Sequence, residues 1–499
     1  MSARALVGLT ILVVTFVWVA QVQAARQPNI LLIVGDDMGY ADLGVHGCKD
    51  IPTPQLDALA ASGVRCTNGY DSAPYCSPTR AGMLTGRYQT RFGHEMNPGG
   101  NAKKKKNDPT VATGSKEADE ALESNADGLP LTETLMAKRF KDAGYATGLV
   151  GKWHLGSAPQ FQPPQRGFEE FFGFLGGSHG YFPSARPLML RGDKPYAEKE
   201  YLTDAFGREA CAFIDRHAEK PFFLYLAFNA VHTPMDATDE RLAKFADIKD
   251  EKRRTYAAMM LAMDENIGKV LAKVHEKGLD DDTLVFFISD NGGPTMKGTT
   301  INASRNDPFR GSKRTTLEGG IHVPFFVRWP GHVPAGKLYE NMVIQLDILP
   351  TALAAAGIKA KDAAKLDGVD LLPYFTGQVK EQPHDTLYWR FGPQMAIRRG
   401  DWKLVRYDVA VDGEEGGVTD AKLYNLKDDI GEKNDLIATN PAKAKELQAA
   451  WDKWNEENVP PLWGNDVVLK KGASGKRKAA PKSKDAASIA LPQHDGGVL

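Results

Sequence analysis

Residues 76–80, with the sequence Cys-Ser-Pro-Thr-Arg, are the part of this 499-residue chain whose residue types point most directly to chemistry. Pro78 suits the first turn of a helix, and residues 81–84 can continue it, which places Cys76 near a helix N-terminus. The helix dipole and the free backbone N–H groups favour negative charge there. Arg80, four residues on, projects from the same face and can neutralise an anion. A lone cysteine is more often structural than catalytic, so the assignment depends on what surrounds Cys76.

Other polar residues come directly after short apolar runs that suit buried strands. The runs lie at 29–34, 145–150, 221–228 and 283–289, and their length and branched residues favour parallel strands. Helical segments alternate with them, which predicts an α/β fold with a large, mainly parallel sheet sandwiched by helices. Ligands bind beyond the carboxyl ends of the strands in such sheets. The polar residues that follow the runs are Asp36, Asp37, Lys152, His154, His232, Asp290 and Asn291.

Residues 76–87, Cys-Ser-Pro-Thr-Arg-Ala-Gly-Met-Leu-Thr-Gly-Arg, resemble the signature of the formylglycine-dependent sulfatases. The wider pattern, over about residues 28–460, is similar to the arylsulfatase and N-acetylgalactosamine-sulfatase branch of the alkaline phosphatase superfamily. The resemblance implies that a maturation enzyme oxidises Cys76 to Cα-formylglycine before or during export. The hydrated aldehyde would then attack the sulfur of a sulfate monoester, and the aldehyde would be restored when sulfate leaves.

The resemblance also implies a metal site, formed by Asp36, Asp37, Asp290, Asn291 and the modified Cys76. Three carboxylates and an amide oxygen are hard ligands, suited to Ca²⁺ and also to Mg²⁺. The catalytic residues implied are Cys76, Arg80, Lys152, His154, His232 and Lys313.

Each of these residues has an implied role. Arg80 and Lys152 would orient the sulfate oxygens, and Asp290 would accept the proton of the nucleophile. His232 and Lys313 would hold the sulfate and protonate the leaving alcohol. His154 would be the base for the second step. Because three carboxylates balance the three cations, a divalent ion would leave the pocket positive and suited to a sulfate ester.

The branch resemblance points to an exo-acting carbohydrate sulfatase whose substrate is a sulfated polysaccharide. His94, His179 and Tyr181 lie in polar or aromatic loop segments between the catalytic motifs and are candidate substrate contacts. Hydrogen bonding within the loops, without substrate contact, explains them equally well.

Three other functions remain open from the sequence. A phosphomonoester or phosphonate hydrolase of the same superfamily is the first, but Cys76 within the full signature argues against it. A non-catalytic carbohydrate-binding relative would be expected to lack some of the catalytic residues, and none is missing. A hydrolase that uses unmodified Cys76 with a histidine would have no need of four oxygen ligands.

The remaining segments predict the domain organisation. An apolar run from Ala5 to Ala20 follows Arg4, and small residues up to Ala24 suit cleavage, as in a signal peptide at 1–24. An uncleaved or lipid-linked membrane anchor is the alternative. A catalytic domain would span 28–375, with a polar surface insertion at 100–127, and a smaller C-terminal domain of antiparallel sheet plus one helix would span 376–460. Residues 468–499 have the composition of a disordered basic tail.

Composition limits the location and the partners. Hydrophobic residues make up 42% of the chain and the net charge is −1, so no global charge favours nucleic-acid binding. No run beyond the signal is long enough to span a bilayer. The sequence thus predicts a secreted or periplasmic enzyme whose partners are a sulfated carbohydrate and the maturation enzyme.

Overall fold

The computed structural model describes residues 26–98, 127–183, 188–359 and 365–463. The predicted signal peptide at 1–24 and the predicted tail at 468–499 lie outside these ranges. So does the predicted insertion at 100–127, apart from Asp127.

A sheet of ten strands forms the centre of the molecule, in the order β11-β2-β10-β9-β1-β8-β4-β5-β6-β7. The five middle strands, from β9 to β5, form four pairs that are all parallel. In contrast, β10 runs antiparallel to β9 and to β2, and β6 and β7 form an antiparallel edge. The strands are β1 (Asn29–Gly35), β2 (Val64–Cys66), β4 (Ala146–Lys152), β5 (Glu170–Phe174), β6 (Met189–Arg191), β7 (Lys194–Tyr196), β8 (Phe222–Ala227), β9 (Thr283–Ser289), β10 (Phe325–Arg328) and β11 (Lys337–Tyr339).

Both faces of this sheet are covered by helices, as the continuous apolar runs predict. On β1, Leu31 and Ile33 face one core, and the alternate residues Ile30, Leu32 and Val34 face the other. The first core contains α1 (Pro54–Ala61), α4 (Leu202–His217) and α6 (Glu251–Glu276), and the second contains α2 (Cys76–Thr85), α3 (Met136–Asp142) and α8 (Ile348–Ala355). The shorter helices are α5 (Asp239–Ala243), α7 (Glu318–Ile321) and α9 (Leu372–Phe375).

A second, antiparallel sheet of four strands lies in the C-terminal region, in the order β13-β14-β15-β16. It consists of β13 (Thr386–Phe391), β14 (Gln394–Arg399), β15 (Trp402–Arg406) and β16 (Lys422–Asn425), and α10 (Pro441–Asn455) packs against it. Its other face meets β3 (Gly69–Tyr70) and β12 (Val343–Ile344), which pair in parallel. The fold class predicted from the sequence, a large mainly parallel sheet plus a small antiparallel sheet with one helix, is confirmed. The exact division at residue 375 stays a prediction.

The structure differs from the sequence-based expectation mainly at the edges of elements. For example, the helical segment before β4 begins only at Met136, because Leu135 has an extended backbone. The antiparallel strands β10 and β2 at the sheet edge were not predicted. Within the described residues, no helix has the length and apolar content needed to cross a membrane, and all four cysteines are free thiols.

Candidate active site

Cys76 is the first residue of α2, which begins because Tyr75 before it is extended and Pro78 follows in the first turn. The side chain is 1% exposed, and its Sγ lies 3.7 Å from Oδ1 of Asp36. Burial raises the pKa of the Cys76 thiol to about 12, although Lys152 and Lys313 lower it. An unmodified thiol with this pKa is protonated at neutral pH and is a poor nucleophile. This environment does not suit the hydrolase with an unmodified cysteine that the sequence left open.

Arg80 lies one helical turn further on α2 and is fully buried. Its Nε donates to Oδ2 of Asp290 at 2.9 Å, and its Nη2 lies 2.8 Å from the same oxygen. Its Nη1 donates to the Tyr225 hydroxyl at 3.2 Å and to the Lys152 carbonyl at 3.3 Å. Groups that lie on, or directly after, three separate strands therefore hold Arg80 in one orientation, with its charge directed to Asp290.

Asp36 and Asp37 follow β1, where the strand ends and the backbone of Asp37 turns to a φ of +62°. Asp36 accepts from Nζ of Lys152 at 2.6 Å, and Asp37 lies 2.7 Å from Nζ of Lys313. Burial and the charge of Asp290 raise the pKa of Asp36 to about 7. Burial also raises the pKa of Asp37, but Lys313 and His232 outweigh it and hold this pKa well below its usual range.

A divalent cation fits the atoms that surround these two carboxylates. One ligand atom each from Asp36, Asp37, Cys76 and His232 lie within 4.8 Å of one another. Asn291 donates from Nδ2 to Asp37 at 2.8 Å, while its Oδ1 is buried and accepts no hydrogen bond from the described residues. A buried carbonyl oxygen without a partner is costly, and a hard cation would satisfy it. Asp290, another predicted cation ligand, belongs to the same group of buried residues, although its carboxylate is paired with Arg80.

The two histidines reach the site from different strand ends. His232 lies 3.5 Å from Oδ2 of Asp37, and its Nδ1 lies 2.6 Å from the Thr233 carbonyl oxygen, so Nδ1 carries the proton. Burial lowers the pKa of His232 to about 3. Burial and the charge of Lys152 lower the pKa of His154 well below its usual value, and its Nδ1 has no partner among the described residues. Both rings are therefore neutral in the free protein.

A cavity of about 380 Å³ opens over these groups. Its lining includes four of the residues predicted from the sequence, Cys76, His154, His232 and Lys313. Arg80, Lys152, Asp36 and Asp37 lie buried around it, in contact with the same network. The structure thus brings together, around one cavity, the residues that the sequence analysis predicted as metal ligands and catalytic groups.

The three predicted substrate residues are not among the residues that line this cavity. His94 is fully buried, and its Nε2 lies 2.7 Å from the Ser77 hydroxyl. Tyr181 is fully buried and donates to the backbone carbonyls of Asn229 and His232 at 2.6 and 2.8 Å. His179 is 7% exposed, with Nδ1 2.7 Å from the Gly180 carbonyl oxygen. These positions fit hydrogen bonding within the loops, and Tyr181 fixes the backbone that carries His232.

Other residues on the cavity wall were not predicted. Tyr75 and Arg314 are each adjacent in sequence to a motif residue, Cys76 and Lys313, and that adjacency is a signal that could have found them. The rest come from loops without a recognisable pattern: Asn97, Pro98, Gly177, Ser178, Gly298, Thr299 and Thr300.

Comparison with known proteins identifies the class to which this fold and site belong. Residues 28–358 match the family model described as Sulfatase, and residues 311–457 match the model described as N-sulphoglucosamine sulphohydrolase, C-terminal. The chain therefore belongs to the sulfatase family, whose members are sulfuric ester hydrolases.

Individual relatives agree with the family match. The chain is 36% identical to N-acetylgalactosamine-6-sulfatase of Homo sapiens over 397 residues, which cover 76% of this chain and 72% of the relative. It is 34% identical to arylsulfatase A of Bos taurus over 485 residues, covering 87% and 88%. Among solved structures, Ps i-CgsB in complex with k-i-k-neocarrahexaose has a TM-score of 0.78 and 34% identity, covering 90% of this chain and 98% of that one.

Proposed function

We propose that this protein is a carbohydrate sulfatase that removes sulfate from a sulfated polysaccharide, acting at the chain end. The observation that carries the proposal is Cys76 in the wall of the cavity, surrounded by Lys152, Lys313 and Arg80 and by the acceptor atoms of a cation site. Positive charge at this position stabilises the charge that develops on a sulfate ester during cleavage.

The proposed nucleophile is formylglycine made from Cys76, whose hydrated aldehyde supplies a hydroxyl that attacks sulfur and can later release the sulfate. The 1% exposure of Cys76 means that the oxidation must precede folding. A maturation enzyme acting on the unfolded chain is therefore a required partner. Export to the periplasm or the outside, proposed from residues 1–24, is compatible with modification before or during translocation.

The proposed cation is Ca²⁺, with Mg²⁺ as the alternative. Asp36, Asp37, Asp290 and Asn291 would hold it together with residue 76, and it would supply positive charge for the sulfate oxygens. Asn291 supports this assignment, because its Oδ1 has no other partner among the described residues.

The binding of sulfate and the proton transfers are assigned to side chains of this protein. Arg80 and Lys152 orient sulfate oxygens, and Asp290, held by Arg80, accepts the proton of the attacking hydroxyl. Lys313 and His232 face the leaving oxygen, and one of them gives it a proton as the S–O bond breaks. His232 is neutral in the free protein, so the negative charge of a bound sulfate is needed to raise its pKa. His154, whose Nδ1 has no partner in the described part of the chain, accepts the proton that must leave before sulfate is released.

A sugar as the alcohol component is supported by the named relatives and by the size of the cavity. N-acetylgalactosamine-6-sulfatase is among the relatives, and a solved structure at 34% identity contains an oligosaccharide. A volume of about 380 Å³ lies near the lower end of ligand pockets, which favours entry of a terminal sugar over passage of a long chain.

Hydrolysis of matched sulfate and phosphate esters tests this function. The full chain, co-expressed with a formylglycine-generating enzyme, should release sulfate from sulfated galactosamine and from aryl sulfates. Cys76→Ala should lose this activity, whereas Cys211→Ala, at a half-buried thiol outside the cavity lining, should keep it. Faster release of phosphate from the corresponding phosphate esters, with no release of sulfate, would favour a phosphomonoesterase instead.

A further inference from the structure

Arg314 occupies a position at the cavity whose backbone is unfavourable for its residue type. Its φ is +72°, a conformation that costs energy for a residue with a side chain and persists only where the surroundings impose it. Two hydrogen bonds, one to the backbone N–H and one to the backbone carbonyl of Arg314, impose this conformation. The Arg314 N–H donates to the Pro74 carbonyl at 2.7 Å, and its carbonyl accepts from Nε2 of Gln394 at 2.9 Å.

The side chain of Arg314 lies at the cavity wall. Its Nη1 donates to the Gly298 carbonyl at 3.2 Å, in an exposed position. Its guanidinium carbon lies 6.0 Å from the centre of the Tyr75 ring, which also has Nζ of Lys313 at 5.6 Å. Tyr75 and Gly298 themselves line the cavity, so the guanidinium is held beside the space that a substrate would enter.

The charge of Arg314 is not neutralised, in contrast to the cations deeper in the site. Lys152 pairs with Asp36 at 2.6 Å, Lys313 with Asp37 at 2.7 Å, and Arg80 with Asp290 at 2.8 Å. Across residues 26–98, 127–183, 188–359 and 365–463, no carboxylate forms an ion pair with Arg314. A guanidinium has five N–H donors in a planar fork, and such a fork matches the oxygens of a sulfate or carboxylate in a two-point contact.

We propose that Arg314 binds a second anionic group of the saccharide, a sulfate or a carboxylate other than the sulfate that is removed. The proposal rests on the function proposed above and adds a preference for polyanionic substrates. Lys313 and Arg314 are consecutive residues, so the two anionic groups must lie on one sugar or on adjoining sugars. Because Arg314 contacts a group that does not react, it acts on substrate choice and not on the chemical step.

Kinetics on matched substrates test the proposal. The series consists of three galactosamine-type saccharides. The first carries only the scissile sulfate, the second carries an additional sulfate, and the third carries the scissile sulfate and a neighbouring uronic acid. For the doubly charged substrates, Arg314→Gln should lower kcat/KM by about 10- to 100-fold, as expected for loss of a charge-assisted contact, mainly through KM. For the singly charged substrate, kcat/KM should change by no more than about twofold. The substrate with the larger loss identifies the second anion as sulfate or as carboxylate.

Two further variants control for structure and for overall charge. Arg314→Gly removes the charge while relieving the positive φ, so it should fold at least as well as wild type and show the same selective loss. Lys380→Gln removes one exposed positive charge outside the cavity lining and should leave both substrate types unaffected.

The outcomes separate the two proposals. If wild type releases sulfate, and both Arg314 variants lose activity equally on singly and doubly charged substrates, Arg314 has only a structural role and this inference is overturned. Equal activity of Arg314→Gly and wild type on every substrate overturns it too. If wild type releases sulfate from none of the substrates, the proposed function fails and the inference with it.

Discussion

This protein contains two groups of buried ionisable residues. Both groups combine carboxylates with lysine and arginine side chains, but their surroundings differ. The catalytic cluster contains Asp36, Asp37, Asp290, Arg80, Lys152 and Lys313 and adjoins the cavity. The junction cluster contains Tyr70, Glu318, His322, Arg398, Lys403 and Glu432 and lies where the large sheet meets the C-terminal sheet.

The two carboxylates of the junction cluster share the cation Lys403, although Oε1 of Glu432 contacts it as an ion pair without a hydrogen bond from the described residues. Nζ of Lys403 lies 2.8 Å from Glu318 and 2.9 Å from Glu432. His322 uses both ring nitrogens, at 2.9 Å to Glu318 and 2.8 Å to the Thr67 carbonyl. Next to the catalytic cluster, in contrast, Oδ1 of Asn291 and Nδ1 of His154 have no partners among the described residues. Burial of charge alone therefore does not mark a functional site, whereas unused acceptor atoms beside a cavity do.

The largest effect is expected at Cys76, the source of the proposed nucleophile. Cys76→Ala should reduce sulfate release by about 10⁴-fold or more, because every later step depends on this residue. Its free energy of unfolding, measured with urea, should change by no more than about 1 kcal/mol, since only the small polar group of residue 76 is lost. Comparable activity of the variant and wild type would mean that residue 76 is not the nucleophile.

A substitution in the junction cluster should have the opposite effect: it should lower stability and leave activity unchanged. Lys403→Met leaves two buried carboxylates without their shared cation, and we expect a loss of about 3–5 kcal/mol in the free energy of unfolding. Activity per folded molecule should remain close to that of wild type. Lys443→Met, at an exposed ion pair with Glu446, is the matched control and should cost about 1 kcal/mol at most. Equal losses in the two variants would show that the junction cluster does not hold the sheets together.

Cation binding should stabilise the catalytic cluster alone. Ca²⁺ at 100 times its dissociation constant should add about 2.7 kcal/mol to the free energy of unfolding, visible as a higher melting temperature. Asn291→Asp keeps an oxygen ligand and should retain the shift, whereas Asn291→Leu should reduce it. A shift that is unchanged in Asn291→Leu would place the cation elsewhere.

The smallest effect is a pH dependence from the junction cluster. Burial and the charge of Glu318 raise the pKa of Glu432 from 4.5 to about 7. The unfolded chain releases this proton first, so Glu432 makes stability fall as pH rises from about 4.5 to 7. Glu432→Gln should remove about 1–3 kcal/mol of this fall, measured by urea unfolding at several pH values. An identical pH profile in the variant would exclude a raised pKa.

The sequence predicted the central fold, and with it the polar residues that follow the strands, for one physical reason. Buried parallel strands are continuous apolar runs, so β1 and β9 could be located to within a residue, and the polar residues after them necessarily meet at one sheet edge. The apolar stripe at Tyr256, Met260 and Ile267 is fully buried on α6, as its helical spacing predicts.

The cavity wall could not be predicted in the same way. Loops such as 297–300 have no periodicity, and their position depends on contacts with distant residues. His94 and Tyr181 illustrate the problem, because their loops resemble ligand-binding loops while their side chains bond to Ser77 and to the backbone near His232. Arg314 is informative only once the structure shows its positive φ and shows that no carboxylate of the described residues pairs with it.

The mass of the tryptic peptide that contains residue 76 shows whether Cys76 is converted to formylglycine, on which the proposed reaction depends. Protein co-expressed with a formylglycine-generating enzyme should give a peptide about 18 Da lighter than the cysteine form, and sulfate release should rise in proportion to that fraction. Full activity in protein whose residue 76 is entirely an unmodified thiol would contradict the account.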